Sequence, residues 1–187
     1  MCIYQNKIHM KYLLVALAFI ACNSDNNKLQ ELQKKVDQYE AAQKLTEVHL
    51  ARFDSLDFQF YSHQLWDSLS LSHADHIKAF YPDGSTTIGL NPAHIDMLKP
   101  QFEFAPDTKV TAHPVRFGTG EWTCGIGTVE GTFSQPMDIG GGKTIPPTGR
   151  KFKFSMVTIG RWEKGKMIEE YLFYDNLAIM KQIGLAK

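Results

Sequence analysis

The sequence predicts an α+β domain in which helices pack on a strongly curved antiparallel sheet. Helical periodicity occupies the first half of the chain and four strand-like runs the second, without the regular helix–strand alternation of a parallel sheet. Composition supplies the core: 43% of the 187 residues are apolar and 12% aromatic, enough for one domain. The formal net charge is zero, with 20 basic and 20 acidic side chains. That balance excludes a disordered chain, and it excludes nucleic acid as a partner, because phosphate binding rests on concentrated cationic charge.

Residues 1–21 read as a bacterial leader. Lys11 follows an alternative start at Met10, Tyr12 to Ala21 is an apolar stretch too short to span a bilayer, and Cys22 follows directly. Phe19-Ile20-Ala21-Cys22 resembles a lipobox, which implies acylation of Cys22, export, and a membrane contact through an N-terminal lipid in the periplasm or at the outer-membrane or cell surface. Residues 22–52 read as a tether and helical spacer. Asn23 to Asn27 is polar, and from Lys28 to about Leu50 the apolar residues Leu29, Leu32, Val36 and Tyr39 keep helical spacing. Cys124 is then the sole cysteine of the body, so no internal disulfide forms there.

The domain itself is expected over residues 53–187. Asp54-Ser55-Leu56-Asp57 reads as a helix start, with Leu56, Phe60, Leu65, Trp66 and Leu69 on the apolar face of one or two helices to about Ser72. Ile77 to Tyr81 is a short strand ended by the turn triplet Pro82-Asp83-Gly84. Asn91-Pro92 opens another helix, to about Phe104. Lys109–Phe117, Glu121–Phe133, Arg150–Trp162 and Met167–Tyr174 are the strands of a meander, and residues 131–149 form a long glycine- and proline-rich hairpin loop. A curved sheet around helices leaves a conical cavity, where small ligands bind.

Pro82-Asp83-Gly84, Ala105-Pro106-Asp107, Phe117-Gly118-Thr119-Gly120-Glu121-Trp122-Thr123, Gly131-Thr132-Phe133, Pro136-Met137, Pro147-Thr148-Gly149, Thr158-Ile159-Gly160-Arg161-Trp162, Glu169-Glu170-Tyr171, and Asp175 through Gln182-Ile183-Gly184 together resemble the SnoaL-like polyketide cyclase, or ester cyclase, family of the NTF2-like superfamily. The resemblance runs from about Phe53 to Ala186. It implies a cone-shaped fold and an aldol closure on a polyketide ester, with an acidic residue near the end of the last long strand as acid/base and neither metal nor cofactor. The matching acid is Asp175.

The residues allow that chemistry on their own terms. A carboxylate kept from water gains basicity toward a carbon acid, and Phe173, Tyr174, Leu177 and Ile179 surround Asp175 in sequence. Asp175 also stands where a helix N-cap belongs, and a capping carboxylate is a poor base. Strand alternation puts Glu169, Tyr171, Phe173 and Asp175 on one face and Glu170, Leu172 and Tyr174 on the other; one of the two faces the cavity. His76 and His94 are the candidate helpers. His73 and His76, three apart at the end of a helical stretch, offer two imidazoles but no third ligand at diagnostic spacing, so no metal site is expected. Trp122, Phe154, Met156 and Tyr171 are candidates for core or substrate wall, and Glu130 for a wall acid or a solvent-facing one. Two functions remain open: a cofactor-independent cyclase, isomerase or lyase acting on a small apolar carbonyl compound, and a non-catalytic, lipid-anchored module that binds a hydrophobic ligand or forms a homodimer.

Overall fold

The computed structural model describes the backbone from Ile3 and the side chains from Asn26 to Lys187. The side chains of the leader and of Cys22 lie outside the described residues. Among the described residues, no helix is long and apolar enough to cross a membrane. The chain divides into two units, residues 1–43 and residues 44–187.

In the first unit, helix α1 (Ile3–Ser55) is stitched on its surface by pairs one turn apart. Glu31 binds Lys35 at 2.7 Å, and Gln33 donates to Asp37 at 2.8 Å. The stripe Leu29, Leu32, Val36 and Tyr39 is exposed.

The second unit begins with the last turns of α1. Thr46, His49 and Phe53 are buried there. A π-helical turn, Leu56–Tyr61, follows without a break, so Asp54-Ser55-Leu56-Asp57 continues a helix rather than starting one. A 3-10 segment, Trp66–Leu71, leads into strand β1, His73–Phe80. Strand β2 is Thr86–Ile88; a turn at Leu90–His94 then leads into α2, Ile95–Phe104. Strands β3 (Lys109–Thr119) and β4 (Trp122–Thr132) follow. The loop after β4 holds a small hairpin of β5 (Met137–Asp138) and β6 (Thr144–Ile145). Strands β7 (Lys151–Glu163) and β8 (Lys166–Phe173) and helix α3 (Asn176–Gln182) complete the chain.

The six-stranded sheet runs β2-β1-β8-β7-β4-β3. Every pairing is antiparallel except that of β1 with β8, which is parallel. The expected meander is therefore the β3-β4-β7-β8 part, and β1 joins it across the chain. The loop hairpin packs Met137 and Ile145 against the cluster of Phe104, Phe133, Phe152, Ile179 and Ile183. It contributes no residue to the cavity described below.

Alternation on β4 is strict. Thr123, Gly125, Gly127, Val129 and Gly131 are buried, while Trp122, Cys124, Ile126, Thr128 and Glu130 face outward. At Gly125 the inner face must be glycine because α1 comes down directly on the backbone: a Cβ there would stand 2.3 Å from Phe53 Cε1. Gly125→Ala is thus expected to destabilise the domain by about 1–3 kcal/mol through overpacking, read as a lower urea midpoint at unchanged slope.

Candidate functional site

Between the sheet and the helices lies a cavity of about 70 Å³, walled by Leu56, Leu69, Leu98, Phe154, Met156 and Leu172 and given a polar side by Asp57, Tyr61, His73, Tyr81, His94, Gln101, Glu170 and Tyr174. Met97 on α2 also borders it and is exposed, which puts the opening at that helix.

Glu170 is the acid of this cavity. Its sheet neighbours are Ala79 on β1 and Gly160 on β7, so small residues on both sides leave its carboxyl room. The residue is 5% exposed. Burial, and then the charge of Asp57, push its pKa up to about 8, so at neutral pH the carboxyl is mostly protonated and close to releasing its proton.

Two imidazoles converge on it. His94, at the end of the Leu90–His94 turn, is 1% exposed and puts Nε2 3.2 Å from Glu170 Oε2. Its Nδ1 lies 2.7 Å from the Tyr81 hydroxyl, which also reaches Thr87 Oγ1 at 3.0 Å. His73, at the start of β1, has Nε2 3.9 Å from the same Glu170 oxygen. Its Nδ1 faces the Leu69 carbonyl at 3.3 Å and Ser72 Oγ at 3.0 Å. A carbonyl only accepts, so the His73 proton sits on Nδ1 and Nε2 presents a lone pair to the cavity. Burial drives His94 down to about 4. Burial, and then the neighbouring His94, drive His73 down to about 3. Both rings are therefore neutral at pH 7, and their contacts with Glu170 are not ion pairs.

A second acid, Asp57, is held from behind. His113 on β3 bridges two carboxylates, Nε2 to Asp57 Oδ2 and Nδ1 to Asp54 Oδ1, both at 2.8 Å. Its ring stacks on Phe53 and lies tilted against Phe58. Arg116 closes the chain of charges on Asp54. Burial alone would lower the pKa of His113, but the two carboxylates outweigh it and raise it. Carboxylate oxygens accept, so one facing each ring nitrogen favours the imidazolium, which donates at both. Burial raises Asp57, and the His113 bond opposes that rise. Tyr61, Tyr81 and Tyr174 are likewise shifted upward by burial, Tyr81 to about 12, so all three phenols stay protonated donors at neutral pH.

Of the residues expected at the site, His94, Phe154 and Met156 line the cavity. Asp175 does not: it is exposed and caps α3, its Oδ1 accepting from the Ala178 N–H at 2.9 Å. Its face of β8 looks outward and the Glu170 face looks in. His76 is exposed, because it lies on a strand rather than a helix and alternation turns it away from His73. Tyr171 stacks on Phe80 on the outer face, and its hydroxyl donates to Glu169 Oε2. Trp122 is exposed on the outer face of β4. Glu130 pairs with Lys153 at 2.8 Å outside the cavity.

The matches to known proteins agree with this architecture. The family model described as SnoaL-like polyketide cyclase matches residues 56–183. The chain belongs to the SnoaL-like polyketide cyclase family. Among solved structures it is similar to a candidate SnoaL-like polyketide cyclase from Jannaschia sp. CCS1, with TM-score 0.65, 18% identity, and 76% of this chain and 96% of that one covered. It is also similar to IdmH, a candidate polyketide cyclase from Streptomyces antibioticus, with TM-score 0.62, 20% identity, and 73% and 98% covered. An NTF2-like protein of unknown function from Burkholderia pseudomallei K96243 gives TM-score 0.58 at 15% identity, with 73% and 97% covered. At these identities the likenesses establish the NTF2-like fold. Among curated proteins, none matches this chain.

Sequence reasoning within the SnoaL-like frame missed two acids of the cavity, Glu170 and Asp57, did not single out His73 from His76, and missed His113, which stands behind Asp57 and does not line the cavity. Glu170 was legible as one of two faces of β8 but not chosen. His73 follows from counting the alternation back from Ile77 and Ala79. Asp57 and His113 are far apart in sequence, and no local pattern joins them.

Proposed function

We propose that this SnoaL-like chain catalyses cofactor-independent proton transfer at the carbon beside a carbonyl, in a cyclase or isomerase type of reaction, with Glu170 as acid/base and His94 as the carbonyl-polarising partner. The observation that carries the reading is geometric: one buried carboxyl and two anchored imidazoles converge on a single apolar cavity.

The Glu170 carboxylate takes the proton from the α-carbon, and the electron pair of that C–H bond moves onto the carbonyl oxygen as an enolate. His94 serves the oxygen when Tyr81 donates to its Nδ1, since its Nε2 then carries the hydrogen. The enolate carbon attacks a second carbonyl of the same molecule, forming the new C–C bond, and Glu170 returns its proton to the resulting alkoxide. In an isomerisation the proton returns to another carbon instead. A carboxyl whose pKa lies close to the working pH suits both directions of transfer.

Cavity size narrows the substrate. About 70 Å³ lies well below the roughly 300–1,000 Å³ of ordinary ligand pockets, so it takes a small carbonyl compound or the carbonyl end of a larger one reaching in past Met97. The test is solvent-deuterium uptake: small 1,3-dicarbonyl compounds such as ethyl acetoacetate, incubated with protein in D2O, should exchange their central hydrogens faster than in buffer. Exchange at the buffer rate across a panel of such compounds contradicts the reading.

The sequence also supports a proposal on location: export, with lipid attached at Cys22. Cys22→Ser is expected to abolish incorporation of labelled palmitate and to release the protein from the membrane fraction. Unchanged labelling contradicts it.

A further inference from the structure

We propose that His73, His94 and Glu170 bind one divalent transition-metal ion of zinc-like chemistry, in competition with proton transfer at the same carboxyl. One ligand atom from each residue falls within a sphere of contacts no wider than 4.8 Å. Two of the three separations are 3.2 and 3.9 Å. Ligands of a tetrahedral zinc ion stand about 2.0–2.2 Å from the metal, hence about 3.3–3.6 Å from one another. The trio straddles that spacing without an ion in place.

Two of the donor atoms have nothing else to do. Glu170 Oε2 and His73 Nε2 are buried and, among the described residues, without a hydrogen-bond partner. His94 Nε2 stands 3.2 Å from the orphan carboxyl oxygen, yet no aligned hydrogen bond forms between them. Three ligand atoms gathered within 4.8 Å of one another and not hydrogen-bonded to each other are what a ligand set looks like. Buried polar atoms normally find a partner, and a cation would satisfy both orphans at once.

The far sides of the rings fit the same role. A metal-binding histidine is usually fixed through its other nitrogen. His73 is fixed by the Leu69 carbonyl and Ser72, which leaves Nε2 bare. His94 is fixed by Tyr81. When its Nδ1–H donates to Tyr81, whose own hydroxyl donates to Thr87, Nε2 is bare as well. The Tyr81 hydroxyl accommodates either tautomer, so one architecture serves the proton-transfer state and the metal-bound state.

The donor set selects the ion. Two imidazole nitrogens and one carboxylate suit zinc and its first-row neighbours, whereas calcium and magnesium call for oxygen ligands. All three residues line the cavity, so the remaining coordination position opens onto it. Binding displaces the carboxyl proton, occupies the Glu170 oxygen that the proposed proton transfer uses and takes His94 Nε2 from the substrate oxygen, and zinc therefore inhibits that reaction. The site does not depend on the catalytic reading: it stands on the ligand geometry, and its test needs no substrate.

The full-length chain, freed of metal with a chelator, is titrated with Zn2+ by calorimetry. One equivalent is expected to bind, at least tenfold more weakly in His73→Gln and His94→Gln, and unchanged in His76→Gln and Cys124→Ser. On the unmodified chain, 15N spectra of the histidine rings provide a reading free of folding effects: the His73 and His94 signals shift on saturation, and those of His63 and His76 stay. Absence of stoichiometric binding, or binding that leaves the His73 and His94 signals in place, overturns the inference.

Discussion

Glu170→Gln is expected to lower proton-exchange activity by about 10²–10⁴-fold, the usual worth of a positioned acid/base group, while making the domain more stable at alkaline pH. The second effect follows from burial. An unfolded glutamate ionises near its ordinary value of 4.5, whereas the folded one keeps its proton until about 8. The folded state therefore binds more protons across that window, and the stability present below the lower value is lost as pH rises toward the upper one. His73 and His94 act oppositely: their folded pKa values lie below 6.5, at about 3 and 4, so they take stability away as pH falls below 6.5. Between 6.5 and 8 the Glu170 slope is left uncovered by these two. In that interval the stability difference between Glu170→Gln and the parent should grow by about 1.4 kcal/mol per pH unit. Urea denaturation at a series of pH values measures it, and a difference that does not change with pH contradicts the buried, protonated carboxyl.

His113→Leu is the substitution expected to cost most stability. The ring is buried between Phe53 and Phe58, and Asp57 is buried with it. Removing the imidazolium leaves a carboxylate in the core without its partner, a loss of about 3–5 kcal/mol. A double change, His113→Leu with Asp57→Leu, removes the orphaned charge as well and should recover much of the loss. Denaturation of the two variants side by side separates this from simple loss of packing, since a packing defect at residue 113 would persist in the double variant.

The class of fold was legible because it rests on local patterns. The apolar spacing before Ser72 and the alternation of the last four long strands need no knowledge of distant contacts, and the order of the motifs from Pro82-Asp83-Gly84 to Gln182-Ile183-Gly184 carried the family resemblance. The parallel pairing of β1 with β8 was not legible, since nothing in either strand names its partner. The site was half legible. Alternation on β8 reduced the question to two faces, and the acid at the strand end was chosen where the inner-facing Glu170 is the buried one. Asp175 fell to a local rule that the sequence also displayed: an aspartate before Asn176-Leu177-Ala178 caps a helix, and it does so here. His73 and His76 were misplaced for a single reason. A strand begins at His73, so a spacing that would align them on a helix sets them on opposite sides. The bridge from Asp57 through His113 to Asp54 spans more than fifty residues, beyond the reach of any periodicity.

The most direct measurement is deuterium uptake into a 1,3-dicarbonyl compound by the parent chain, Glu170→Gln and Asp175→Asn, each shown to be folded. A reactive carboxyl inside the cavity predicts that Glu170→Gln falls to the buffer rate while Asp175→Asn exchanges as fast as the parent. Retained exchange in Glu170→Gln, or its loss in Asp175→Asn, contradicts the assignment of the chemistry to the cavity.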